Sequence, residues 1–248
     1  MAPATPNGVL GHGFIVLGWL LSMLIPLSCD LRWLPWWGLT AAILVRTHLQ
    51  TGLFILGHDA MHGLLWSRYP GLNHRLGALL LALYACLPYR QCRRLHQRHH
   101  QAPGSALDPD GPPDDSASGV RWYVRFMAAY LSPGQMLLLL GVWVVLVLVG
   151  RTITPTAALN VLTFCTLPLL LSSLQLFLFG TYLPHRGQRG PHGNLHPESL
   201  DLPTWLSLLA CFHFGYHREH HDNPGLSWFQ LPAAHRQARA LAIGSLSR

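Results

Sequence analysis

The chain has 248 residues, of which 50% are hydrophobic and only 11% charged; its 17 basic residues are all arginine and, against 10 acids, give a net charge of +7. An ordinary soluble domain carries about 25% charged residues, so the composition excludes that class and points to the bilayer as solvent. The arginines form no stripe interleaved with aromatics, which excludes a nucleic-acid interface. Five scattered cysteines without a CxxC pair offer neither a disulfide framework nor a zinc ribbon.

Four runs, 9–27, 35–57, 134–150 and 156–180, are apolar over lengths near the roughly 17–25 residues that a membrane-crossing helix needs. The first lacks the basic start and small-residue cleavage site of a secretory signal, and is therefore expected to stay as an anchor. Arg151 and Pro155 mark a tight turn between the last two runs, which should form a helical hairpin. A fifth run, 72–89, carries His74 and Arg75 at one end and Pro88 at the other, so it is expected to be re-entrant, interfacial or a broken helix. The segment 203–216 is too short to span and should lie along the interface. The loop 101–119 is rich in Pro, Gly, Ser and Asp; its four aspartates read as surface charge and receive no chemistry. The expected architecture is a single all-α membrane domain over residues 1–248 with four spans.

Histidine is concentrated at three places. His58 and His62 stand four residues apart at the end of the second run; His96, His99 and His100 repeat that spacing as HxxHH, as do His217, His220 and His221. Residues three and four apart share a helix face, and successive residues turn by about 100°, so neighbouring histidines of one box can face two different ions. A structural zinc is satisfied by four ligands; eight boxed histidines among 16 call for two ions, and imidazole suits iron, zinc, copper and nickel. A ninth ligand is expected from His185, with His213 as the alternative because it falls one turn before His217. Asp59, Glu219 and Asp222 adjoin boxed histidines and either accept a second ring N–H, as metal-bound histidines usually require, or serve as helix-end charge. His192, His196 and His235 belong to no box and are expected to tolerate replacement. Arg46 and His48 fall at mid-membrane depth in the second run, where they either line a substrate pocket or bond between helices.

One shared site requires an even number of crossings between any two boxes. Four spans, with 72–89 not crossing, satisfy this and put both termini on the box side. That side then receives 14 of the 17 arginines; Arg46 is within a span, and only Arg32 and Arg151 lie opposite. Positive charge favours the cytoplasmic side, so the boxes are expected there.

The order HxxxH, HxxHH, HxxHH on a four-span chain resembles the membrane fatty-acid desaturase and hydroxylase superfamily. The wording "RTHLQTGLFILGHDAMHG", "HQRHHQAPG…DPD", "FGTYLPHR" and "FHFGYHREHH…PGLSWFQLP" further resembles the bacterial CrtW-type β-carotene ketolases, from Arg46 to Pro232. The resemblance implies two irons held by His58, His62, His96, His99, His100, His185, His217, His220 and His221, with O2 as co-substrate. It implies two successive hydroxylations of one ring CH2, giving a gem-diol that loses water to the ketone. No nucleotide, haem or iron–sulfur motif is present, so the electrons are expected from a ferredoxin-like partner and its reductase, and the substrate from the membrane. A carotenoid hydroxylase or fatty-acyl desaturase would share the irons but not the product. A histidine-rich metal transporter would carry ligands at mid-membrane depth along several spans, whereas these boxes gather at one face.

Overall fold

The computed structural model describes residues 6–105, 107–114, 116–186 and 197–246. In chain order the main helices are α1 (Pro6–Ser28), α2 (Trp36–Met61), α3 (Pro70–Ala85), α4 (Tyr89–Gln101), α5 (Gly119–Tyr130), α6 (Pro133–Gly150), α7 (Ala157–His185), α8 (Thr204–Cys211), α9 (His217–Asp222) and α10 (Leu231–Leu246). Among the described residues the only β pairing is an isolated bridge between Ser199 and Tyr216. Four helices, α1, α2, α6 and α7, are long and apolar enough to cross a membrane. The protein is an all-α integral membrane protein.

Burial separates these four. Half of the apolar window of α2 and 44% of that of α7 are buried, against 11% in α1 and α6, so α2 and α7 form the core and the other two turn leucines and valines outward to lipid. A core helix without water must satisfy its polar groups internally, and α2 does so at Arg46 and Gln50. Its Gln50 accepts from Trp19 Nε1 (2.7 Å) and donates to the Tyr84 carbonyl (2.6 Å). The Arg46 guanidinium donates to the carbonyls of Phe164 (3.1 Å) and Trp19 (3.4 Å) and lies over the Trp19 ring. His48 stacks on Phe212 with ring centroids 4.3 Å apart. Arg46 and His48 therefore join helices, and neither lines the apolar cavity described below.

The 72–89 run resolves into a helix that doubles back. Asn73 donates to the Ala60 carbonyl (2.8 Å) near one end of α3, while Tyr84 meets Gln50 near the other, so α3 runs antiparallel to α2. Two glycines permit this approach: a Cβ on Gly57 would sit 2.5 Å from Leu81, and one on Gly77 would meet Tyr89 and Ala60 at 2.5 and 2.6 Å. Cys86, in the left-handed region at φ 56°, ends α3, and Pro88 precedes α4, which returns towards the end of α2. The result is a broken, re-entrant hairpin with no net crossing between His62 and His96.

Two span boundaries extend beyond expectation. α2 continues to Met61, and α7 runs five residues past 180 to His185. A proline inside a helix lacks an N–H donor and clashes with the preceding turn. In α7, π-helical turns at Leu162–Thr166 and Phe177–Tyr182 end two residues before Pro168 and Pro184 and absorb that misfit. By contrast, 203–216 is helical only over α8, because Phe212 and His213 both have positive φ (46° and 66°). His213 is thus off the helical face of His217, correcting the expectation of a shared register.

Candidate metal centre

The end of α2, the C-terminal half of α4, the end of α7 and all of α9 converge on one buried point. The nine predicted histidines form two groups there. His58, His62, His96, His100 and His220 bring one nitrogen each to within 4.8 Å of one another, and His99, His185, His217 and His221 do the same. α4 gives His96 and His100 to the first group and His99 to the second; α9 gives His220 to the first and His217 with His221 to the second. The angular offset within each HxxHH box thus divides one helix between two foci. The π turn at Phe177–Tyr182 lies just before His185, whose Nδ1 donates to the Thr181 carbonyl (2.8 Å), leaving Nε2 for the second group. His213 joins neither group; its ring stacks near Tyr216 and Trp228. His192 and His196 lie outside the described residues.

The donor atoms are poorly satisfied by the protein itself. Nε2 atoms face each other between His62 and His96 (2.7 Å), His99 and His221 (3.0 Å), His100 and His220 (3.0 Å) and His217 and His221 (3.1 Å). Both nitrogens of His58, Nε2 of His185 and Nδ1 of His217 are buried without a partner. Each such buried group costs about 1–3 kcal/mol, and a cation between the rings removes that cost for the one nitrogen of each ring that ligates it. Burial, reinforced by Arg93, lowers His62 to about 4; burial and neighbouring imidazoles lower His100 to about 3. Neutral imidazole is the form that ligates metal, so the donor set fits two transition-metal ions.

The acidic partners are not those expected from sequence. Asp108, in the loop read as surface charge, is fully buried, and its Oδ1 accepts from His99 Nδ1 (2.9 Å). Gly104, at φ +69°, turns the chain so that its N–H donates to Asp108 Oδ2 (2.6 Å). Burial opposes charge on both partners, yet their mutual hydrogen bond prevails: His99 is raised and Asp108 lowered from their ordinary values. Asp110 is also buried, which pushes it up to about 6, and accepts from the Tyr130 hydroxyl (2.7 Å). These two aspartates correct the surface-charge expectation; Asp114 does pair outward with Arg121, and Asp115 lies outside the described residues. The usable signal was the DPD step nine residues after His99 in a turn-rich loop.

Among the adjacent acids, Asp59 lies 3.8 Å from His58 Nδ1, beyond hydrogen-bond reach, and instead accepts the Trp228 N–H (3.4 Å). Glu219 accepts from His235 Nδ1 (2.9 Å) and from Ser199 Oγ, so it fastens α9 to α10 and bonds no boxed histidine. Asp222 is exposed. His235 is consequently a buried structural partner of Glu219.

Two neighbouring cavities lie beside the histidines. One chamber, about 130 Å³ in volume, lies among α2, α3, α5, α6 and α7. Phe54, Phe126, Tyr130 and Leu176 also wall a second chamber that reaches His58, His96, His99 and His217. The wall of the first chamber is almost wholly apolar, the lining that suits a hydrocarbon.

The comparisons with known proteins agree with this arrangement. A β-carotene ketolase from Paracoccus sp. is 41% identical over 195 residues, covering 78% of this chain and 77% of its own. A β-carotene ketolase from Haematococcus lacustris is 36% identical over 234 residues, 86% of this chain and 71% of its own. A zeaxanthin 4-ketolase from Chlamydomonas reinhardtii is 34% identical over 95% of this chain and 51% of its own. The fatty acid desaturase family model matches residues 31–142 and 134–245; with those matches spanning most of the sequence, the chain belongs to the fatty acid desaturase family.

Proposed function

We propose that the protein is a β-carotene 4-ketolase that uses O2 and two irons to convert the ring CH2 to a ketone by two hydroxylations and loss of water. The observation that carries this is the meeting of two histidine groups with an apolar slot, in a chain 41% identical to a β-carotene ketolase. His58, His62, His96, His100 and His220 would hold one iron, and His99, His185, His217 and His221 the other. Bound there, the irons supply the one-electron O2 chemistry that side chains lack.

The protein's own contribution is position and dryness. Phe54, Phe126, Tyr130 and Leu176 pack the ring where the slot meets the imidazoles. Asp108 holds the proton on His99 Nδ1, and the Thr181 carbonyl does so for His185, so that both Nε2 lone pairs face inward. A ring retained by packing meets the oxidant twice at one carbon, because the C–H bond of the new alcohol is weaker than that of the original CH2. The site and both termini are assigned to the cytoplasmic face. Electrons come from a ferredoxin-like protein and its reductase, docking on the face where Arg90, Arg94 and Arg98 stand exposed at four-residue intervals on α4.

Expression in β-carotene-producing cells tests the proposal. A mono-keto and then a diketo pigment, echinenone followed by canthaxanthin, should accumulate with a requirement for O2. Ring alcohols without ketone would identify a hydroxylase instead, and unaltered carotene beside new unsaturated fatty acids a desaturase.

A further inference from the structure

Asp110 stands where the apolar slot meets the histidines. It lines the inner chamber with His58, His96, His99 and Tyr130, and is 7% exposed. Its backbone is pinned on both sides: its N–H donates to Asp108 Oδ1 (2.9 Å), and its carbonyl accepts from Trp122 Nε1 (2.8 Å). Oδ1 accepts from the Tyr130 hydroxyl (2.7 Å). Oδ2 makes no hydrogen bond among the described residues. Its neighbour His99 Nδ1 is 4.0 Å away and already directed to Asp108. A carboxylate oxygen of a fixed, buried residue, with an unused acceptor, therefore borders the chamber beside the histidines. An ionised carboxylate oxygen is an acceptor only, so a ligand that brings a hydroxyl donor into this chamber matches it.

We propose that Asp110, oriented by Tyr130, is a hydroxyl-binding subsite that captures the ring alcohol made by the first oxidation and holds its carbon in place for the second. The inference rests on the ketolase function proposed above. The starting CH2 has no donor, so Asp110 gains nothing from the hydrocarbon. The alcohol donates to Oδ2, and the gem-diol has two hydroxyls to offer. The ketone again has no donor, and its oxygen faces a carboxylate lone pair. The subsite therefore retains the intermediate and releases the product, which separates a ketolase from an enzyme that stops at the alcohol.

The test compares ring alcohol with ketone in β-carotene-producing cells, and binding of alcohol with carotene to anaerobic, unreduced protein by tryptophan quenching. Wild-type protein should bind the alcohol about tenfold more tightly than the carotene, the value of one such hydrogen bond. Asp110→Ala should bind the two alike and raise the alcohol-to-ketone ratio about tenfold. Tyr130→Phe, which leaves every histidine and acid in place, should shift both readouts in the same direction and carries the test should Asp110→Ala not fold. A merely structural role would lower both oxidations and both affinities together, leaving the ratios unchanged. Equal binding by wild-type protein, or wild-type ratios in Tyr130→Phe and Asp110→Ala, would overturn the subsite. Absence of ketone in wild-type cells would instead overturn the ketolase function, leaving the alcohol preference in binding to be read separately.

Discussion

The two histidine groups share α4 and α9, with α2 adding to the group of five and α7 to the group of four, and they are supported differently. In the group of four, His99 is fixed by a buried carboxylate and His185 by a backbone carbonyl, so tautomer and ring angle are set before any ion arrives. In the group of five, His58 has no partner on either nitrogen and is oriented by packing, its ring edge-on to Phe214 at 4.6 Å between centroids. Outer hydrogen bonds raise ligand basicity and fix geometry. Asp108 hydrogen-bonds a ring of the group of four, whereas Asp59, 3.8 Å from His58 Nδ1, bonds no ring of the group of five. One focus should therefore hold its ion tightly, and the other should depend on ring packing and exchange its ion more readily.

The largest effects should follow loss of a ring from either group. His96→Ala and His217→Ala, one from each group, are expected to abolish ketone formation in pigment assays. His185→Ala should do the same, whereas His213→Ala should retain most activity; the reverse result would move the ninth ligand. Next comes the acid that distinguishes the groups. Asp108→Asn removes the charge behind His99 and should cost roughly 10–100-fold in activity or metal affinity, with metal lost first from the group of four. Equal loss from both groups, followed by metal analysis of the purified variant, would erase the contrast.

A smaller effect is expected in the slot. Leu169→Trp, on its wall, should reduce carotene conversion while leaving metal content intact, which a parallel pigment and metal measurement checks. The smallest concerns the tie between α9 and α10. His235→Ala breaks the hydrogen bond to Glu219 and should lower stability by about 1 kcal/mol, read as a few degrees in a thermal unfolding scan, with activity reduced modestly.

Much of this was legible in the sequence because the decisive patterns are local. Four apolar runs gave the spans, and the i, i+3, i+4 spacing of the boxes already implied that His99 and His100 face different foci. The even-crossing requirement anticipated that 72–89 turns back, and Gly57, Gly77 and the Cys86–Pro88 break show how it does so. What escaped depended on contacts across sequence. Asp108 and Asp110 sit in a loop whose composition is that of a solvated one; only the fold brings it over His99. Glu219 and Asp59 looked like partners of adjacent histidines because they are neighbours in sequence, yet on a helix adjacent side chains point about 100° apart, and both acids serve packing elsewhere. His213 failed its register because two successive residues leave the helical region.

Metal content of protein purified without oxygen tests the central claim most directly. Wild-type protein should carry one iron for each group, two per chain, and a His185→Ala/His217→Ala double variant about half as much, with the group of five still loaded. A single metal in the wild type, zinc in place of iron, or unchanged content in the double variant would contradict it.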